Sequence, residues 1–292
     1  MGMSEGQINS LLQGAAFSEG ESAADYREFP PKMEKQENTT TVLMVGINRD
    51  AEANTERGDA IVLAQFNLET GTVKWVSFLH DMHVRVPGKG ADRLDAMYAI
   101  GGAELISEAL QMNFGVYVDY VLAMDDRVMV DTVDQFGGIS LMVAERERLQ
   151  FNALAEQYQG DPTVSPLAGD GEQLLTGRQA LLYSRIQRMV GDFDRASRQS
   201  RLMEAMISDL GDVEPNTLLT LAEKHWPDLQ TDFTRKELSD FITRFMQFSN
   251  VAVDHMVVPL SYAFHDDVIR NAIVLIPNLT KNSSAIHAFL QN

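Results

Sequence analysis

The apolar and polar positions of this chain fall into blocks whose period switches repeatedly. TTVLMVGI, Thr40 to Ile47, is apolar from Val42 onward apart from Gly46, the pattern of a strand covered on both faces. Two further strand-like runs, Asp59 to Leu68 and Val73 to His80, are joined by Glu69-Thr70-Gly71-Thr72, a connection that suits an antiparallel hairpin. From Gly101 the spacing becomes helical, with Leu105, Ile106, Ala109, Leu110 and Phe114 on one face and Gly115 as the stop. Val118 to Met124 returns to strand, Asp125 to Phe136 to helix and Gly138 to Val143 to strand. Such alternation predicts an α/β sandwich around a mixed sheet. After Glu145 the pattern is mainly helical, with helices expected at Gln173–Arg188, Asp192–Leu210, Asn216–His225 and Arg235–Asn250, and late strands at Val251–Leu260 and Ala272–Pro277.

Residues 1–40 lack this patterning. They are rich in Glu, Ser, Gly and Gln and contain Pro30-Pro31, a composition that buries little apolar surface, so they read as a flexible arm or linker ahead of a single domain over 41–292. The opening Met1-Gly2-Met3 reads as an added leader, and an anchor upstream of it would leave no trace.

Composition narrows the function classes. The chain has 292 residues, 45% of them hydrophobic, enough for a substantial core. Against 24 Lys and Arg stand 42 Asp and Glu, a formal charge of −18 that disfavours nucleic acid and anionic lipid surfaces. There is no cysteine, which removes disulfides, thiolate metal sites and thiol nucleophiles. No apolar run reaches the ~18 residues of a membrane span.

Against that acidic background Arg185, Arg188, Arg195, Arg198 and Arg201 fall within seventeen residues. On a helix opening near Asp192, Arg195, Arg198 and Gln199 share one face; this is either a solvated face or a phosphate site, where guanidinium forks and helix amides meet phosphate oxygens. The loop Gly46 to Ala60 leaves the end of a central strand, where α/β sheets tend to place ligands. Asn48, Asp50 and Asp59 offer it hard oxygens, and Arg49 and Arg57 offer phosphate donors, a set suited to Mg²⁺ and a phosphorylated substrate. The bland alternative is a polar surface loop. His80, Asp81 and His83 lack a third ligand at transition-metal spacing. No nucleophile elbow, Walker loop or zincin motif is present.

Taken in order, VGIN, RGD, SFLHD, RLDAMYAIGG, GRQALLYSRIQR and GDFDRASRQ resemble the successive motifs of the LytR-CpsA-Psr family, over about Thr41 to Leu210. The resemblance implies a three-layer α/β/α sandwich with an apolar lipid channel, expected here between the sheet and the helix Ala103 to Phe114. It also implies a membrane-anchored, extracytoplasmic enzyme that moves a glycopolymer, such as teichoic acid or capsule polysaccharide, from a polyprenyl pyrophosphate onto peptidoglycan. By the same resemblance Arg57, Arg185, Arg195 and Gln199 take the pyrophosphate head group, with Arg198 in the same motif, and Asp59 binds Mg²⁺. His80, Arg93 and Gln187 occupy further substrate-binding positions, and Asp81 either orients an arginine, accepts a proton or serves as a strand-end hydrogen-bond acceptor.

The sequence also departs from those motifs. Asn48 stands where the family carries a metal-binding Asp, His80 and Gln187 where it carries Arg, and Arg93 and Asp95 where it carries Lys and Asn. The Asn48 change removes a charge from the metal site and the His80 and Gln187 changes remove two phosphate partners, so the rival expectation is a polyprenyl phosphate-binding protein with weak turnover. A transcription factor is disfavoured by the acidic charge and the lack of a helix-turn-helix signal.

Overall fold

The computed structural model describes residues 30–50, 55–158, 163–186, 198, 201–206, 213–248 and 251–291. Among these, six strands form a central sheet in the order β10-β3-β2-β1-β6-β9. The long strands β1 (Thr39–Asp50), β2 (Thr55–Asn67) and β3 (Thr72–Phe78) make an antiparallel meander. β6 (Tyr120–Asp125) runs parallel to β1 and β10 (Ala252–Val258) parallel to β3, while β9 (Gln230–Thr231) closes the other edge antiparallel to β6. The sheet is therefore mixed.

The unbroken apolar runs have a direct cause: each face of the sheet is covered by helices. Leu43, Val45, Ile47, Ile61, Leu63, Val76 and Phe78 join one core, with α1 (Met97–Phe114) and α7 (Leu279–Gln291) packed over it. The intervening residues Val42, Val62, Ala64, Phe66, Val73 and Trp75 join a second core, beneath α6 (Arg235–Phe245) and near α5 (Pro215–His225). Three layers result.

On the first face the helix α1 buries Ala103, Ile106, Ala109, Leu110 and Phe114 at 2% exposure or less. At ~1.5–3 kcal/mol for each fully buried large apolar side chain, this face is a principal stabiliser.

A third core lies beside the sheet. The ribbon of β7 (Ile139–Val143) and β8 (Gly171–Leu175) packs with α2 (Asp126–Gln135), α3 (Glu145–Ala155) and α4 (Gly177–Ser184). The helix expected over Gln173–Arg188 is thus a strand followed by a shorter helix, divided at Thr176. Thr176 caps α4 by accepting from the Gln179 N–H at 3.3 Å, and Gln179 reciprocates onto the Thr176 N–H at 3.0 Å. Gly177 lets α4 approach α2 closely: a Cβ there would lie 2.2 Å from the Val130 carbonyl oxygen. Most of the helix expected over Asp192–Leu210 lies outside the described residues, although 201–206 are helical.

The remaining elements form hairpins. β4 (His83–Val86) pairs with β5 (Gly90–Arg93), and β11 (Phe264–Ile269) with β12 (Ala272–Pro277). The domain also reaches back before β1. Met33 is buried in the first core and donates its N–H to the Gly115 carbonyl at 2.7 Å, so the arm expected over 1–40 gives way to packed chain before residue 40. Among the described residues no helix is long and apolar enough to cross a membrane.

One polar knot holds the third core to its surroundings. Glu147 accepts from the Tyr183 hydroxyl at 2.9 Å, from the Ala144 N–H at 3.1 Å and from Arg201, which also donates to the Tyr183 oxygen at 2.7 Å. Burial alone would raise the Glu147 carboxyl, but the Ala144 N–H, Arg201 and the Tyr183 hydroxyl together hold it below the ordinary carboxylate range. A carboxyl depressed by folding stabilises above its unfolded pKa and loses that contribution as pH falls through the folded one. Glu147→Gln is therefore expected to cost about 1.5–3 kcal/mol at neutral pH, the range for hydrogen bonds to a charged group. Denaturation against pH checks this: the gap to the parent should close in acid, below the ordinary carboxylate range.

Candidate active site at the end of the first strand

β1 and β6 run parallel, and their pairing ends where Ile47 lies opposite Asp125. The register of β1 against β2 shifts between Gly46 and Ile47, so that Asn48 faces Arg57 across the pair. These two facts bring the ends of three elements to one place: Asn48 from β1, Arg57 and Asp59 from β2, and Asp125-Asp126 from the turn into α2.

The side chains there are linked. The Asn48 amide nitrogen donates to Asp59 Oδ2 at 2.8 Å, and Arg185 Nη2, from the C-cap of α4, lies 3.5 Å from Asn48 Oδ1. The same Arg185 nitrogen donates to Asp126 Oδ2. Burial pushes the Asp126 carboxyl above the ordinary carboxylate range against the pull of Arg185, and the charges of Asp125 and Asp59 push it the same way. Asp125 itself caps α2, accepting from the Arg127 and Val128 N–H groups.

A second group adjoins through Arg57. Its Nη1 donates to Asp95 Oδ2 at 3.0 Å, and Arg93 grips the same carboxylate with Nε at 3.0 Å and Nη2 at 2.9 Å. Asp95 has only 2% of its side chain exposed, whereas Arg57 has 50% exposed. One buried anion therefore holds two guanidiniums, of which Arg57 keeps half of its side chain exposed. The Asp95 backbone is fixed on both sides, its N–H on the His80 carbonyl at 2.9 Å and its carbonyl under the Gly58 N–H at 3.3 Å. A Cβ on Gly58 would come within 3.1 Å of the side-chain ends of both Ile106 and Val45, so a larger residue here would need those side chains to give by a few tenths of an ångström.

The structure thus gathers five of the residues singled out by sequence, Asn48, Arg57, Asp59, Arg93 and Arg185, with His80 beside Asp95. Asp81 is buried at the bend after β3, where its carbonyl takes the Leu275 N–H at 3.2 Å. His83 is buried in β4, opposite Arg93 in the pairing. Arg198 is 2% exposed and donates to the Ile186 carbonyl, which excludes the solvated face for this residue and makes it a brace for the segment after α4. Arg201, counted in the same cluster, is engaged by Glu147, Tyr183 and the Met142 carbonyl. Gln187, Arg195 and Gln199 lie outside the described residues, as do the side chains of Arg49 and Asp50.

Asp126 was missed by sequence reasoning, and Asp95 was noticed only as a departure. The signal for Asp126 was present in a strand, VDYVLAM, running straight into Asp125-Asp126, but its meaning depends on β6 lying parallel to β1.

For a hard cation the donors are Asp59 and the amide oxygen of Asn48, with Asp126 beside them. One carboxylate and an amide suit Mg²⁺, which leans on one or two carboxylates and keeps its waters. Among the described residues no group of three or more His, Cys, Asp or Glu is placed to hold a metal ion, so the set is a low-charge one.

The chain as a whole resembles known proteins. The chain is 28% identical over 191 residues to the polyisoprenyl-teichoic acid–peptidoglycan teichoic acid transferase TagT of Bacillus subtilis, covering 64% of this chain and 56% of that protein. It is 25% identical over 179 residues to the regulatory protein MsrR of Staphylococcus aureus, covering 60% and 50%. The chain spans about half to three-fifths of the length of such relatives. In three dimensions it matches TagT bound to LIIa-WTA with a TM-score of 0.71 at 22% identity, over 91% of this chain and 96% of that one, a likeness of fold. The LytR_cpsA_psr family matches residues 9–288, nearly the whole sequence, and the chain belongs to that family.

Proposed function

We propose that this chain is the catalytic domain of a phosphotransferase that moves a cell-wall glycopolymer from a polyprenyl pyrophosphate carrier onto peptidoglycan, outside the cytoplasm and held at the membrane. The observation that carries the reading is the meeting of Asn48, Arg57, Asp59, Asp126 and Arg185 at the paired ends of β1 and β6, in a chain whose relatives carry transferase names.

In this reading Arg57, Arg93 and Arg185 hold the pyrophosphate, joined by Arg195 and Gln199. A hydroxyl of the acceptor sugar attacks the phosphorus nearer the glycopolymer. The new P–O bond forms as the bond to the lipid phosphate breaks, giving a phosphodiester and a polyprenyl phosphate. The departing charge falls among guanidiniums, where preorganised donors act most strongly. Asp126, with its raised carboxyl, is suited to take the hydroxyl proton. Mg²⁺, held by Asp59 and Asn48 with Asp126 beside them, would neutralise charge on the pyrophosphate oxygens.

The carrier's apolar tail needs cover, which we assign to the α5/α6 side of the sheet. There Met44, Leu122, Met203, Trp226, Phe241 and Ile242 remain partly exposed. Met44 and Leu122 lie on the two strands that lead to the site.

The same hydrogen bond that links Asn48 to Asp59 favours a second reading, a carrier-binding protein with weak turnover, because a neutral amide replaces a metal-binding carboxylate. Native mass spectrometry with a long-chain polyprenyl pyrophosphate tests both. The reading expects one lipid bound per chain, binding weakened by Met44→Trp, and turnover raised by Asn48→Asp with His80→Arg. No binding by the parent overturns both; binding with no turnover in either protein leaves the second.

A further inference from the structure

Of the arginines grouped by sequence, Arg185 stands at the site, while Arg198 and Arg201 turn to the protein itself. Both act on the end of α4. Arg201 donates to the Tyr183 hydroxyl oxygen at 2.7 Å and to Glu147, and Arg198 donates to the Ile186 carbonyl, so the two cations hold the residues on either side of Arg185. Tyr183 also grips Arg185 through its backbone: its carbonyl, with that of Leu182, takes the Arg185 N–H, and it takes the Ile186 N–H at 3.4 Å.

Arg185 needs such support. It leaves helical geometry at φ −95° and ψ 0°, where the chain turns out of α4, so the regular helical ladder does not set the direction of its side chain. Yet its Nη2 reaches both Asp126 and Asn48. The knot around Tyr183 supplies a fixed reference. Tyr183 is fully buried and Glu147 nearly so, in an apolar core that residues without charge would fill as well. Apolar packing alone leaves a helix end free to turn by small amounts, whereas a hydroxyl between a carboxylate and a guanidinium has one satisfied arrangement. The partners are themselves anchored, since Glu147 Oε2 also accepts from the Ala144 N–H and Arg201 Nη1 reaches the Met142 carbonyl at 3.1 Å. The end of β7, the start of α3 and the end of α4 thus meet at one hydroxyl.

We infer that Tyr183, Glu147 and Arg201 are positioning residues of the transfer reaction: they fix the last turn of α4 so that Arg185 is aimed at the pyrophosphate. The inference rests on the transfer reading above. A misplacement of about 1 Å far from the chemistry can cost ~10²-fold, which is the scale on which a loosened end of α4 would act.

The test is a double-mutant cycle between the knot and Arg185, read by kcat on a polyprenyl pyrophosphate-linked glycan. Tyr183→Phe keeps the ring in the core and removes the hydroxyl. It should lower kcat about tenfold in the parent, with KM moving less, and add no further loss to Arg185→Ala. Arg201→Met, which keeps a stem near the Tyr183 ring, should reproduce the effect should Tyr183→Phe fail to fold, and Arg201→Lys should recover part of the loss. A second readout needs no turnover: NMR relaxation of the Arg185 Nε–Hε signal should show an ordered side chain in the parent and a disordered one in Tyr183→Phe and Arg201→Met, at unchanged backbone order in the sheet. Equal losses with and without Arg185, or an Arg185 side chain equally ordered in parent and variants, would overturn the inference. Failure of the transfer reading alone would instead appear as no turnover in any of these proteins while Arg185 still loses its order in the variants.

Discussion

Arg185→Ala is expected to lower turnover of a polyprenyl pyrophosphate-linked glycan by about 10²–10³-fold, the loss typical of removing one preorganised donor from a developing anion. Arg185 touches both Asn48 and Asp126, so its removal takes away a phosphate donor and the partner of a carboxyl that burial already disfavours as an anion. Lysine in its place should recover part of the activity, since a point charge replaces a fork that spans two partners. The fold should survive, because the residue sits at the C-cap of α4, outside the apolar cores. Steady-state kinetics and thermal denaturation of both variants check the expectation; near-parental turnover in Arg185→Ala would return this arginine to a purely structural link.

Asp95→Ala is expected to be the most damaging single change for stability and site together. Asp95 is buried, anchors Arg57 and Arg93 through three hydrogen bonds, and its backbone ties the His80 turn to Gly58. Breaking a buried ion pair by removing one partner costs about 3–5 kcal/mol. Here the two arginines reach solvent, so a loss of about 2–3 kcal/mol is expected, within the range for hydrogen bonds to charged groups. Affinity for pyrophosphate should fall as well, because Arg57 loses the group that aims it. Asp95→Asn should fold better than the alanine variant yet still bind pyrophosphate weakly, which separates charge from shape.

The parts of the fold legible in the sequence were those where burial is simplest. β1, β2 and β3 are covered on both faces, so their paired centres, Val42 to Ile47, Ala60 to Ala64 and Val73 to Phe78, are mostly apolar, and α1 presents one clean stripe to the sheet. Short paired elements were not legible. The β4–β5 hairpin has four residues in each strand, and only the Pro87-Gly88-Lys89-Gly90 turn marked it. β8 was read as helix because Leu174 and Leu175 continue into the leucines of α4, although Thr176 with Gln179 was the signature of a helix start. The site divided in the same way. Asn48, Arg57, Asp59, Arg93 and Arg185 stand in ordered motifs along the chain, whereas Asp126 gains its place from the pairing of β6 with β1, separated by more than seventy residues. Arg198 shows the limit of counting charges: helical spacing alone does not say whether an arginine faces solvent, a ligand or a backbone carbonyl.

The central claim is that the end of β1 transfers a glycan from a lipid pyrophosphate to peptidoglycan. The most direct measurement incubates the full chain with a polyprenyl pyrophosphate-linked glycan labelled in the sugar, purified peptidoglycan and Mg²⁺, and follows the label and the lipid together. The account predicts label covalently joined to peptidoglycan with an equal amount of polyprenyl phosphate released, both dependent on Mg²⁺ and both lost in Arg185→Ala. Label remaining on the lipid while the lipid is bound, or equal transfer by the parent and the Arg185→Ala variant, would contradict it.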